Sequence, residues 1–210
     1  CVGGVGPSVP MNPKPLSKVA SGVAGDTRTH ALRELLRRRR RLLVLTHNNP
    51  DPDSLGGAVG LLEFARLAAG IDGRLAITGK VLRAENQAMV RELGIEMDPI
   101  ETVRLADFDC VALVDTQPGF GHTHLPPGLG IDIVIDHHVC ADATAGPDTV
   151  AFFDVRPEIG ATSSIVAGHL LAAGVQPSAT CATALAYGIR TDTADLSRNV
   201  SELDERAWEF

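Results

Sequence analysis

One imidazole and two carboxylates crowd the stretch 42–59, LLVLTHNNPDPDSLGGAV. Four apolar residues, Leu42 to Leu45, read as a short buried strand. The apolar run stops at Thr46 and His47, and an Asn48-Asn49-Pro50 turn follows. Asp51 and Asp53 then precede an apolar-rich segment of helical length, LGGAVGLLEFARLAA. Imidazole nitrogen and carboxylate oxygen are ligands for Mn²⁺, Mg²⁺ or Zn²⁺. In a turn, Asp51 and Asp53 can each address a different ion. The plainer reading is a helix N-terminus, with Asp or Ser as the cap and the carboxylates complementing the dipole.

Two further apolar strands end in residues of the same kind. Cys110 to Val114 runs into Asp115, and IDIVI (131–135) runs into Asp136, His137 and His138. Parallel strands place their C-terminal ends on one side of a sheet, where open α/β sheets bind ligands, so the three groups should converge. Asp192, in GIRTDT, follows a helix, and an Asx turn or helix cap explains it locally as well as a ligand role does.

The elements that must position these groups alternate. A helix is expected over 29–40 with Thr29 as its cap, a strand over 73–78, a helix over 84–93 ended by Gly94, and a strand over 151–155. Helices follow over 162–173 and 178–190. This predicts an α/β domain with a mostly parallel five-stranded sheet flanked by helices, the metal site lying at the C-terminal ends of the strands. Residues 1–27, rich in Gly, Pro, Ser and Val, read as a disordered tail. Residues 28–200 form the domain. Residues 201–210 read as the start of a further helix capped by Ser201, with Leu203, Ala207 and Phe210 on one face. That face ends in mid-pattern, as a linker helix to a second domain would.

Three carboxylate and imidazole clusters at strand ends suit a pair of divalent cations sharing one bridging group, a place that Asp115, alone on its strand end, fills. Water shared by two such ions is acidified into a nucleophile, and the ions offset charge on phosphoryl oxygens. Of His137 and His138, one imidazole can bind metal while the other contacts the phosphate or protonates the leaving oxygen. Asp136 is placed to hold a neighbouring imidazole in one tautomer.

A net charge of −7 argues against partners as long as duplex or single-stranded nucleic acid, but not against a small phosphate ester held through metal ions. No apolar run is long enough to span a membrane, and the N-terminus lacks a secretory pattern, so a cytoplasmic protein is expected. The four cysteines, Cys1, Cys110, Cys140 and Cys181, form no C-x-x-C pair; Cys110 and Cys140, beside apolar runs, read as buried thiols in a reducing compartment. Cys1 at the first position suggests a processed or partial chain. The five arginines from Arg37 to Arg41 read better as a solvated helix end than as a phosphate patch.

His47, Asp51 and Asp53, then Asp115, then Asp136-His137-His138, then Gly188-Ile189-Arg190-Thr191-Asp192-Thr193 resemble, in order, the four motifs of the DHH phosphoesterase superfamily. The resemblance covers about residues 42–195, and GATSSI (160–165) resembles the segment that opens a helix after the third motif. It implies two Mn²⁺ per chain, with Mg²⁺ or Co²⁺ as alternatives. His47, Asp51 and Asp115 would hold one ion; Asp53, Asp115, His137 and Asp192 would hold the other. His138 would contact the phosphate, with Asp136 as its partner. The first motif is most similar to the oligoribonuclease and phosphoadenosine-phosphate phosphatase branch, whose wording is N-P-D-G-D. Here Pro52 replaces the glycine, so a slightly different turn is expected.

The implied function is a manganese-dependent phosphodiesterase or phosphatase acting on a small nucleotide or short oligonucleotide: short oligoribonucleotides, phosphoadenosine phosphate or cyclic dinucleotides. A homodimer is compatible with it. Nothing in 196–210 resembles the family's substrate-gripping domain. The alternatives are an inorganic pyrophosphatase of the same superfamily, or a non-catalytic metal- and nucleotide-binding domain.

Overall fold

The computed structural model describes residues 27–139 and 150–210. Six parallel strands form one sheet in the order β3-β2-β1-β4-β5-β6. They are β1 (Arg41–Leu45), β2 (Asp72–Ile77), β3 (Asp98–Pro99), β4 (Cys110–Val114), β5 (Ile133–Asp136) and β6 (Phe152–Val155). Five had a hydrophobic signal. The sixth, β3, is a two-residue edge strand whose Pro99 cannot donate to a ladder, so it carries no strand pattern.

The helices are α1 (Thr27–Arg37), α2 (Pro52–Phe64), α3 (Ala84–Leu93), α4 (Thr162–Ala172), α5 (Ala179–Asp192) and α6 (Glu202–Glu209). Alternate strand residues divide between two cores. Leu42, Val44, Cys110, Ala112, Val114, Ile133 and Ile135 face the helices. Leu43, Leu45, Val111, Leu113 and Val134 face the other way, under Leu125, Leu129 and Ile131 of the β4–β5 connection. The β1–β2 connection through α2 and the β4–β5 connection thus cover opposite faces, as right-handed crossovers leaving a switch point in opposite directions must. The switch lies between β1 and β4.

α2 is buried on nearly every side. Its glycines admit this: a Cβ on Gly56 would lie 2.6 Å from the Ala184 carbonyl oxygen, and one on Gly60 would lie 2.7 Å from Val166 Cγ1. α4 and α5 can therefore close on α2 at backbone range.

Some local expectations shift. Thr29 is not the cap of α1, which begins at Thr27; it lies buried inside the helix and shares a hydrogen bond with His169 Nδ1 at 2.8 Å. Asp192 is the last residue of α5 rather than a residue beyond it. The tail 1–26 and Cys140 lie outside the described residues, while Cys110 and Cys181 are buried free thiols. Among the arginines, Arg39 pairs with Asp132 at 2.8 Å and Arg40 with Asp109 at 3.2 Å, at the N-terminal ends of β5 and β4. They stand away from the strand ends that carry Asp115 and His137. Leu203 and Ala207 of α6, with Phe210 just beyond it, pack onto the helical core. Among the described residues no helix is long and apolar enough to cross a membrane.

Candidate metal centre

The switch point brings the first and second motifs together. β1 ends at Leu45 and delivers His47; beside it β4 ends at Val114 and delivers Asp115. Asp115 adopts φ 61°, a left-handed turn that Asp tolerates better than most residues and that ends the strand where its carboxylate is wanted. Asp51 is both helix cap and site residue: its side chain accepts from the Ser54 N–H at 3.0 Å while lying 3.9 Å from His47 Nε2. Pro52 takes the first helical position, where its missing N–H costs no bond. The substitution for glycine is thus accommodated by the helix itself.

Asp115 faces two clusters with its two oxygens. Oδ2 is 3.7 Å from His47 Nε2, and Oδ1 is 3.8 Å from His137 Nε2. His137 Nε2 also lies 3.8 Å from Asp53 Oδ2 and 3.2 Å from Asp192 Oδ2. Donor atoms sharing one cation at about 2.1 Å lie roughly 3–3.6 Å apart. His47, Asp51 and Asp115 form one group of converging donors, and Asp53, His137 and Asp192 another.

The donor set fits cations. His137 Nδ1 is 3.2 Å from the Ile159 carbonyl oxygen, which holds the proton on that nitrogen and leaves Nε2 with its lone pair. That Nε2 is buried and has no hydrogen-bond partner among the described residues, although it is aimed at carboxylates. Burial pushes the Asp53 carboxyl up to about 6 against the pull of His137, with Asp192 adding repulsion. Burial, and then Asp53, Asp51 and Asp136, push Asp115 well above the usual range. Burial raises Asp192 as well. Asp51 differs: burial works to raise it, but the His47 imidazole and the Ser54 N–H outweigh that and hold it at about 2. Crowded, desolvated carboxylates of this kind are relieved by a divalent cation.

His138 takes another part. Its Nδ1 lies 2.9 Å from Asp136 Oδ1, which occupies that nitrogen and leaves Nε2 open, and it also stands with Asp115 and His137 in a third group of converging donors, Nδ1 being 3.6 Å from Asp115 Oδ1. The Asp136 hydrogen bond raises the imidazole pKa, and the ring is half exposed. Asp136 is fully buried and receives the backbone N–H groups of His137 and His138 at 2.8 and 3.2 Å.

Several participants were not among the expected site residues. Gln117 Nε2 donates to Asp136 Oδ2 at 2.7 Å and to the His138 carbonyl oxygen at 2.9 Å; only its place two residues beyond Asp115 could have flagged it. At the start of α4, the N–H groups of Thr162 and Ser163 donate to the two Asp53 oxygens at 2.7 and 2.8 Å, and Thr162 Oγ1 donates to Asp115 Oδ1 at 2.8 Å. This is the segment GATSSI. The β4–β5 loop folds back over the first motif: Asn48 bonds His124, and the His122 ring stands 5.5 Å from the His47 ring. Phe120 lies 6.3 Å from His138. A cavity of about 510 Å³ opens elsewhere, lined by Glu63, Arg66, Asp72 and Glu96 at the N-terminal end of β2, and holds none of these groups.

Comparison with known proteins identifies the family. The DHH family's N-terminal domain matches residues 41–189. The chain belongs to the DHH family. An uncharacterized protein of Methanocaldococcus jannaschii is 41% identical over 167 residues, covering 79% of this chain and 33% of that protein. The cyclic-di-AMP phosphodiesterase GdpP of Geobacillus thermodenitrificans is 28% identical over 185 residues, covering 79% of this chain and 26% of its own length. The chain thus spans a third or less of these curated relatives. An exopolyphosphatase-related protein of Bacteroides fragilis shares the fold at a TM-score of 0.67 and 16% identity, over 87% of this chain and 56% of that one.

Proposed function

We propose that this DHH domain is a two-metal phosphoesterase acting on short nucleotide substrates, with Mn²⁺ the preferred ion. The observation that carries the reading is the divided Asp115 carboxylate, one oxygen toward His47 and the other toward His137. His47, Asp51 and Asp115 would hold one cation, and Asp53, Asp115, His137 and Asp192 the other. Bound there, such ions would supply Lewis acidity to phosphoryl oxygens and the means to activate water as the nucleophile.

The chain's own residues do the rest. Ile159 and the N-terminus of α4 hold His137 and Asp53 with their lone pairs directed inward. Asp136 fixes the proton on His138 Nδ1, which leaves Nε2 to meet the substrate. With its pKa raised, His138 carries a second proton more readily, so Nε2–H can donate to a phosphoryl or leaving oxygen. Similarity to GdpP supports a cyclic dinucleotide as one substrate class. The wording of the first motif supports linear dinucleotides and phosphoadenosine phosphate.

The test is divalent metal content with Mn²⁺-dependent hydrolysis of cyclic di-AMP, a linear dinucleotide, phosphoadenosine phosphate and pyrophosphate. Two bound ions and turnover of a nucleotide ester bear the proposal out. Turnover of pyrophosphate alone replaces the substrate class. Failure to bind any divalent ion overturns the reading.

A further inference from the structure

Residues 159–163 form a strap behind the metal centre, buried throughout. The strap touches three of the proposed ligands. The Ile159 carbonyl holds His137 Nδ1; the Thr162 and Ser163 N–H groups hold both oxygens of Asp53; Thr162 Oγ1 holds Asp115; and Ser163 Oγ donates to the Asp53 carbonyl oxygen at 3.1 Å. Among the described residues it makes no hydrogen bond to His47 or Asp51.

The strap is itself held from α6. Asp204 Oδ2 accepts the Gly160 N–H at 2.9 Å, along with the Ser201 N–H at 2.7 Å and the Ser201 hydroxyl at 2.5 Å. The Ser201 N–H bond is one half of the capping box that starts α6; the other half is the Asp204 N–H, which donates to Ser201 Oγ at 3.3 Å. A capping box serves its helix equally well from an exposed surface, yet this carboxylate is wholly buried. Its remaining bond goes to the strap, and Oδ1 has no partner among the described residues. Gly160 is also wedged: a Cβ there would lie 2.5 Å from the Asn199 carbonyl oxygen, 2.8 Å from Thr193 Cγ2 and 3.0 Å from Asp204 Oδ2. The start of α6 and the turn after Asp192 therefore clamp the strap from both sides.

We propose that Asp204 is a positioning residue of the metal centre, acting through the strap on Asp53, Asp115 and His137. The inference rests on the metal-binding reading of those residues. Partners bonded directly to metal ligands typically govern affinity by about 10–100-fold; Asp204 stands one layer further out, behind Gly160, so the low end of that range is expected.

The experiment is calorimetric titration of Mn²⁺ into the metal-free chain and its variants. Asp204→Ala should weaken one of two binding steps by about tenfold, and that step should be the one that survives in His47→Ala. Asp204→Asn keeps an acceptor oxygen for Gly160 and should recover most of the loss. Leu203→Ala, which loosens α6 on α4 without touching the carboxylate, should lower the melting temperature and leave both steps unchanged. Equal weakening of both steps, no weakening, or the same loss in Leu203→Ala would overturn the inference. If the unsubstituted chain binds no Mn²⁺, the metal reading itself has failed, and this shows before any variant is made. Should Asp204→Ala not fold, amide exchange of the unsubstituted chain decides. Gly160 N–H should exchange as slowly as Thr162 N–H, and rapid exchange at Gly160 alone would sink the clamp.

Discussion

Gly188 of α5 lies directly against Asp53 of α2: a Cβ on Gly188 would stand 3.0 Å from the Asp53 Cα, 2.9 Å from the Pro52 carbonyl oxygen and 2.4 Å from Ser163 Oγ. This contact sets how near Asp192, one turn further along α5, comes to His137. Gly188→Ala should push α5 away, cost about 1–3 kcal/mol of stability as overpacking does, and weaken metal binding on the Asp53 side. Chemical denaturation and Mn²⁺ titration read the two effects. A variant as stable and as tightly metal-binding as the parent would show that the helices have slack.

Asp115→Ala should abolish binding of both ions, a loss beyond the roughly 100-fold seen when only an outer partner is removed. Retention of two ions by this variant would refute the bridging assignment.

His138→Ala should keep both ions and lose turnover by about 10²–10⁴-fold, the range for a positioned proton donor. Metal analysis beside single-turnover kinetics checks it; loss of an ion would make His138 a ligand instead.

Asp154, paired with Ile135 across β5 and β6 and outside the proposed ligand set, predicts an acid limb to stability. It is buried, bonded by His169 Nε2 at 2.9 Å and by Arg156 at 2.7 Å. Burial works to raise its pKa, but His169 and Arg156 overcome this and hold the carboxyl well below the usual range. A depressed folded-state pKa gives stability that is present above the unfolded value near 4 and lost as pH falls further. Asp154→Asn should therefore cost about 3–5 kcal/mol at pH 7, as breaking a buried pair does. The gap from the parent should narrow below about pH 4. Melting temperatures of both chains across pH 3–7 test it, and a gap independent of pH would contradict the assignment.

Beyond α5 the chain makes a left-handed turn without glycine: Ala194, Asp195 and Leu196 have φ of 49°, 57° and 57°. Each such L-residue costs about 1–2 kcal/mol. Thr193 offsets part of this, its hydroxyl accepting the Leu196 N–H at 3.1 Å and its carbonyl accepting the Ser197 N–H at 2.9 Å. Ala194→Gly should stabilise the chain by up to about 1 kcal/mol, since relief of strain exceeds the added freedom of the unfolded chain. A drop in stability by urea denaturation would show the turn to be unstrained.

Much of this protein could be read along the chain. Five strands and the six helices announce themselves because apolar periodicity and capping residues are local properties, as Gly94 ending α3 and Ser201 starting α6 illustrate. The placing of His47, Asp115 and His137 at strand ends was legible for the same reason: an apolar run that stops at a ligand-type residue is visible without its neighbours. The edge strand β3 was not, because two residues carry no period. Tertiary structure alone decided that Asp115 divides its oxygens between two clusters, since the left-handed turn that aims the carboxylate comes from the β4–β5 pairing as much as from Asp115. It alone decided that Asp192 reaches the site, which depends on Gly56 and Gly188 letting α2 and α5 meet. The strap from Ile159 to Ser163 showed in the sequence only as part of the helix-opening segment GATSSI; its hold on the ligands, and Gln117 and Asp204 as outer supports, stayed hidden. Its bonds join residues up to 110 positions apart, as between Asp53 and Ser163, and hydrogen bonds across such separations leave no periodic mark in a sequence.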